Sequence, residues 1–166
     1  MAFLCNAHLA KIGKRPSRAL QCWDTWMGYG AAAMANQCWH TALRYTGSAF
    51  DISQALLGKP ELVTDKKRLS YVDRFMISGH YLSEIYRKNN SLPQAEEYLL
   101  LVHQRLLTIF CDADTYTDKK LALLTNLKMS LQIMRCFYNT YGNFQAYQSI
   151  CRETQRLIDN ASVTNA

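Results

Sequence analysis

The sequence predicts an all-helical fold, and three observations predict it. Chain breakers are scarce, with 7 Gly and 3 Pro among 166 residues. β-Branched residues do not gather into the short runs that build sheets. Hydrophobic residues make up 49% of the chain, a level that fits a folded core and not a disordered segment. At this length one domain is the expectation. The chain divides into a basic arm over 1–16, a single helical-hairpin domain over 17–160 and a frayed tail over 161–166.

Each element follows from its punctuation. A short helix is expected over residues 3–12, ended by Gly13 and Pro16. Ser17 offers an N-cap for a second helix reaching about residue 35, with Asn36 at the break. The next helix starts at Cys38 and stops at Gly58, with Pro60 beyond it. After the polar linker "KPELVTDKK", a helix is expected from Arg68 to Lys88. Ser91 and Gln94 have capping-box spacing, and Pro93 is tolerated in the first turn of the helix that follows to Phe110. "CDADTYT" reads as a loop. A helix from about Asp118 ends at Gly142, and Asn143 opens the last one, which fades near Asn160.

The result is three helical hairpins, and they align on their internal breaks. Trp39, Leu92 and Phe144 fall together, as do Tyr29, Leu82 and Met134, and Ala33, Tyr86 and Tyr138. Ala42, Ala95 and Tyr147 form another set, and Ala49, Val102 and Thr154 a fifth. The stretch "WMGYGAAAMANQCWHTA" places small residues beside two tryptophans. It reads as a tight hairpin in which Gly30 and Ala42 face each other while Trp26 and Trp39 fill the flanks.

These positions resemble the tetratricopeptide repeat, whose first helix carries W-x₂-L-G-x₂-Y and whose second carries Ala. Trp26, Tyr29, Gly30, Ala33 and Ala42 match in the first hairpin. Leu82, Ser83, Tyr86, Ala95 and Leu99 match in the second, and Met134 and Tyr138 in the third. The repeat here is about 52 residues rather than the family's 34, so the helices and linkers are longer. The resemblance implies three stacked antiparallel hairpins in a tetratricopeptide-like right-handed array. It also implies that the first helix of each hairpin lines a concave, partner-binding groove. By register the lining residues are Asp24, Met27, Ala31 and Met34, then Ile77, His80, Glu84, Arg87 and Lys88, then Met129, Gln132, Cys136 and Asn139.

Motifs for chemistry are weak. "LLTIFCDADTYTD" is similar to the haloacid dehalogenase signature, an apolar strand followed by D-x-D-G-T. Asp112 and Asp114 match, but Thr115 replaces the Gly and Tyr116 the Thr, and the preceding run is helical. The EF-hand pattern fails too, since Tyr116 takes a ligand position. A solvated turn with acids leading into the next helix is the better reading. The histidines His8, His40, His80 and His103 show no H-E-x-x-H spacing, although His80 and Glu84 sit one turn apart. There is no G-x-S-x-G and no Gly-rich phosphate loop. The six cysteines form no C-x-x-C pair and read as buried, reduced thiols. Neither an enzyme nor a metal or cofactor is expected.

Net charge is +6, and Lys11, Lys14, Arg15 and Arg18 supply +4 of it at one end with no acid among the first 18 residues. These four are candidate electrostatic contacts. The apolar residues at the N-terminus precede the charges, the reverse of a secretory signal, and no run is long enough to span a bilayer. The expectation is a cytoplasmic, non-enzymatic module, an adaptor, regulator or chaperone, whose groove suits a peptide or helix of another protein with an acidic group. The alternative is a nucleic-acid-associated helical protein, supported by a pI of about 9.0. A second copy of the chain is a further candidate partner, and a membrane is not one.

Overall fold

The computed structural model describes residues 3–58, 65–112 and 117–163. The chain is all-α, and no strand occurs among the described residues. The helices are α1 (Asn6–Gly13), α2 (Pro16–Ala35), α3 (Trp39–Leu57), α4 (Asp65–Lys88), α5 (Leu92–Cys111), α6 (Thr117–Tyr141) and α7 (Phe144–Val163). They form two compact units, Met1–Tyr98 and Leu99–Ala166, with α5 contributing to both. The helix ends match the sequence expectation closely, except that α1 starts at Asn6 rather than residue 3, α4 starts at Asp65 within the expected linker, and α7 continues past Asn160 to Val163.

Two expected caps are not the ones used. Arg15, not Ser17, occupies the N-cap of α2 and makes no side-chain capping bond. Pro16 stands at the first helical position, where its missing N–H costs nothing. Ser91 does not cap α5 with its side chain; its hydroxyl reaches back to the Asn89 carbonyl at 3.5 Å. Asn143 does act as expected, its Oδ1 accepting the Gln145 N–H at 2.9 Å.

The turns carry the repeat. α2 and α4 both end in a Schellman motif built from the same bonds. Cys38 N–H donates to the Ala33 carbonyl and Gln37 N–H to Met34, while Ser91 N–H donates to Tyr86 and Asn90 N–H to Arg87. Gln37 and Asn90, 53 residues apart, each take the left-handed conformation, both with φ of 57°. The third turn differs: no residue there has positive φ, and Gly142 N–H bonds to the Tyr138 carbonyl instead.

In the first unit, α2 packs on α3 and α3 on α4. Ala19, Trp23, Ala49, Ile52, Leu56 and Tyr71 form one core cluster drawn from all three helices. Ala33, Ala42 and Ile85 form another nearer the turn. Gly30 does not face Ala42. It faces Thr46, and a Cβ added to Gly30 would lie 2.3 Å from Thr46 Oγ1 and 3.3 Å from Thr46 N. Ala42 and Thr46 are equally offset from Gly30 relative to the turn, so the way the two helices cross, and not distance from the turn, selects Thr46.

The aligned positions are mostly buried. Ala42, Ala49, Ala95 and Val102 have no exposed surface. Leu82 and Met134 are likewise buried, but Tyr29, their counterpart, is 55% exposed. α3 covers this face of α4; α2 opens the repeat, so no preceding repeat helix covers its equivalent. Tyr29 packs instead beside Tyr45, ring centroids 5.3 Å apart.

The N-terminal arm is docked. α1 packs on α2 and α3. Ahead of it, Phe3 lies against Gly47, and the N–H groups of Phe3 and Leu4 both donate to Asp51 Oδ2, at 2.6 and 2.7 Å. In the second unit, His103 on α5 bonds Ser130 on α6 at 3.3 Å and Thr154 on α7 at 2.8 Å. Leu106, Leu123, Leu127 and Met134 supply apolar core in this unit.

Candidate partner-binding surface

Helices α2 and α4 are the first helices of successive hairpins, and an ion pair joins them. Arg74 Nη2 donates to Asp24 Oδ1 at 3.4 Å, and the Arg74 guanidinium lies 5.2 Å from the centre of the Trp23 ring. A partly exposed pair of this kind contributes little stability; its value is in marking adjacency. Both helices place their expected lining residues outside the core. Asp24 is exposed, and Met27 and Met34 are half-buried, each packed on one of the two core clusters.

On α4, Ile77 is 41% exposed and Lys88 is exposed, while His80, Glu84 and Arg87 are half-buried. The sequence reading missed Tyr81, which is 40% exposed. Its signal was available: positions 77, 81, 84 and 88 follow the i, i+4, i+7, i+11 spacing of one helical face. Glu84, which its spacing offers to His80, holds Arg87 in a two-pronged pair, with Oε2 to Nε at 2.6 Å and Oε1 to Nη2 at 2.5 Å. The net positive charge at this end of α4 therefore rests mainly on Lys88.

Met129, Gln132 and Asn139 belong to α6 in the second unit and are all exposed, as is Cys136. They share one side of that helix, where Leu121 is also exposed. Lys11, Lys14, Arg15 and Arg18 are exposed as well.

Several expectations about reactive groups change. The cysteines are free but none is buried: Cys5, Cys38, Cys111 and Cys136 are exposed, and Cys22 and Cys151 half-exposed. Cys5, Cys38 and Cys111 fall at helix ends and Cys136 on an outward face, while Cys22 packs, partly covered, on the first core cluster. Cys5 precedes α1, its Sγ 3.0 Å from His8 Nδ1, and the His8 backbone N–H draws the thiol below its ordinary range. Asp112 is exposed just past the end of α5, so a helix stands where the dehalogenase signature needs a strand. Asp114 lies outside the described residues. His103 is buried, and desolvation pushes its imidazole down to about 4. The hydroxyls of Ser130 and Thr154 at its two nitrogens orient the ring but do not supply an acid–base couple. Among the described residues, no three His, Cys, Asp or Glu side chains are placed to hold a metal ion. No helix among them is long and apolar enough to cross a membrane.

Taken together, the fold and surface define an all-α protein of packed helical hairpins with accessible first-helix faces. The chain belongs to the family described as "Protein of unknown function (DUF2753)", whose profile matches residues 21–164. No curated protein and no solved structure matches it.

Proposed function

We propose that this chain is a non-enzymatic protein-interaction module, an adaptor, regulator or chaperone, built as a tetratricopeptide-like array. Its ligand is a peptide or helix of a partner protein, laid along α2 and α4 in the first unit. The observation that carries this reading is the side-by-side placement of α2 and α4, bridged by Asp24 and Arg74, with Ile77 and Tyr81 open on the same helix as Arg74. Exposed apolar side chains flanked by charge suit an amphipathic partner segment. Met27 and Met34 add adaptable contact area beside them. The free thiols accord with a reducing, cytoplasmic setting.

The test is affinity capture with the wild type beside Ile77→Asp and Tyr81→Asp, with mass spectrometry of the retained proteins. The expected result is a partner retained by the wild type and lost from both folded variants. Equal recovery on all three would refute the reading. The four exposed cations Lys11, Lys14, Arg15 and Arg18 favour nucleic acid as a second reading. Filter binding over a salt series decides it, because phosphate contacts lose affinity steeply with salt.

A further inference from the structure

The contact between the first residues and α3 is more specific than the packing of a loose terminus requires. Asp51 is only 6% exposed, the one charged residue in the buried part of α3. A buried carboxylate is costly unless donors reach it. Here the donors come from consecutive residues about 47 positions away, the N–H groups of Phe3 and Leu4, both to Oδ2. One turn earlier on α3, Gly47 leaves the room the Phe3 ring occupies. A Cβ there would lie 2.3 Å from two ring carbons, closer than any real contact permits. Leu4 completes the seat by packing on the cluster of Ala19, Trp23, Ala49, Ile52, Leu56 and Tyr71. A carboxylate for two backbone donors, a cradle for a ring and an apolar wall for the next residue form a built site for a bent dipeptide whose successive N–H groups converge on one oxygen.

We propose that the Gly47–Asp51 face of α3 is a peptide seat and that the N-terminal segment of this chain is its built-in ligand. Its recognition chemistry is an aromatic side chain followed by an aliphatic one, with two successive free N–H groups. The segment acts as a strap: seated, it holds α1 on α2 and α3 and places Lys11, Lys14 and Arg15 at one end of the unit. Tethering gives the strap an effective concentration on the order of millimolar, so it outcompetes the same sequence offered in trans. This seat is separate from the α2–α4 surface, and its tests do not depend on that reading.

Two measurements decide it. In the wild-type protein, amide exchange read by NMR should be slowed about 100-fold or more at Phe3 and Leu4, and Gly47→Ala should remove that protection. Exchange at the unstructured rate in the wild type, or protection unchanged in Gly47→Ala, overturns the proposal. The second measurement uses the full chain with Phe3→Ser and Leu4→Ser, and a labelled synthetic peptide, MAFLCNAHLAKIG, followed by fluorescence anisotropy. The peptide should bind this variant at least about tenfold more tightly than it binds the wild type, whose seat is filled. Adding Gly47→Leu should abolish the binding. Equal affinity for the wild type and a folded strap variant, or no binding to the latter, overturns the proposal. If the strap variant does not fold, the exchange measurement still decides.

Discussion

Protonation of His103 should destabilise the second unit in a defined pH window. The ring is buried, 2% exposed, and contacts hydroxyls on α6 and α7. Its pKa is held at about 4 in the folded chain by desolvation of the charged form. In the unfolded chain the ordinary value is about 6.5. The folded state therefore binds fewer protons between these values, and stability rises with pH across the interval. The contribution is fully present above about pH 6.5 and is lost as pH falls towards 4. A difference of about 2.5 units at about 1.4 kcal/mol each corresponds to roughly 3 kcal/mol. Most of that, about 2.5 kcal/mol, is gone by pH 4.5. The assay is urea unfolding at pH 7.0 and 4.5 for the wild type and for His103→Asn, whose amide keeps polar contacts but does not titrate. The wild type should lose about 2.5 kcal/mol more than the variant over this interval. An equal pH dependence in both proteins, or an NMR titration of His103 centred near 6.5, refutes the reasoning.

Three further outcomes are expected. Gly30→Leu should lower stability by about 3 kcal/mol, the upper end for overpacking, because Thr46 backbone as well as its hydroxyl stands in the way; an unchanged melting temperature removes the close-contact argument. Arg87→Glu with Lys88→Glu should keep the helical circular dichroism signal, since the new repulsion with Glu84 costs only a few tenths of a kcal/mol. Calorimetry with the captured partner should show binding weakened by about 1–3 kcal/mol, and unchanged affinity moves the contact to Lys11, Lys14, Arg15 and Arg18. Asp112→Asn should change neither stability nor partner binding, as the residue is exposed beyond α5; magnesium-dependent phosphatase activity in the wild type, lost in this variant, would restore the dehalogenase reading.

Local chemistry made much of this protein legible from its sequence. The helix boundaries at Pro16, Gly58 and Gly142 were legible from local punctuation, Pro16 because its missing N–H costs nothing at a first helical position. The repeat was legible for the same reason: Gln37 and Asn90 end their helices with identical bonds, made within six residues of chain. Burial of Ala42, Ala49, Ala95 and Val102 follows from helical periodicity once the turns are placed. Contacts between distant segments needed the tertiary structure. Whether Gly30 meets Ala42 or Thr46 depends on how two helices cross, which spacing along either one does not encode. Tyr29 fits the same pattern as Leu82, yet it is exposed because a covering helix is a property of position in the array. Nothing in the sequence singled out Asp51, and only the approach of Phe3 and Leu4 explains why a carboxylate is tolerated there. His103 likewise became a three-helix junction only when α6 and α7 brought Ser130 and Thr154 to its two nitrogens, because burial and hydrogen-bond geometry are set by the neighbours that folding supplies.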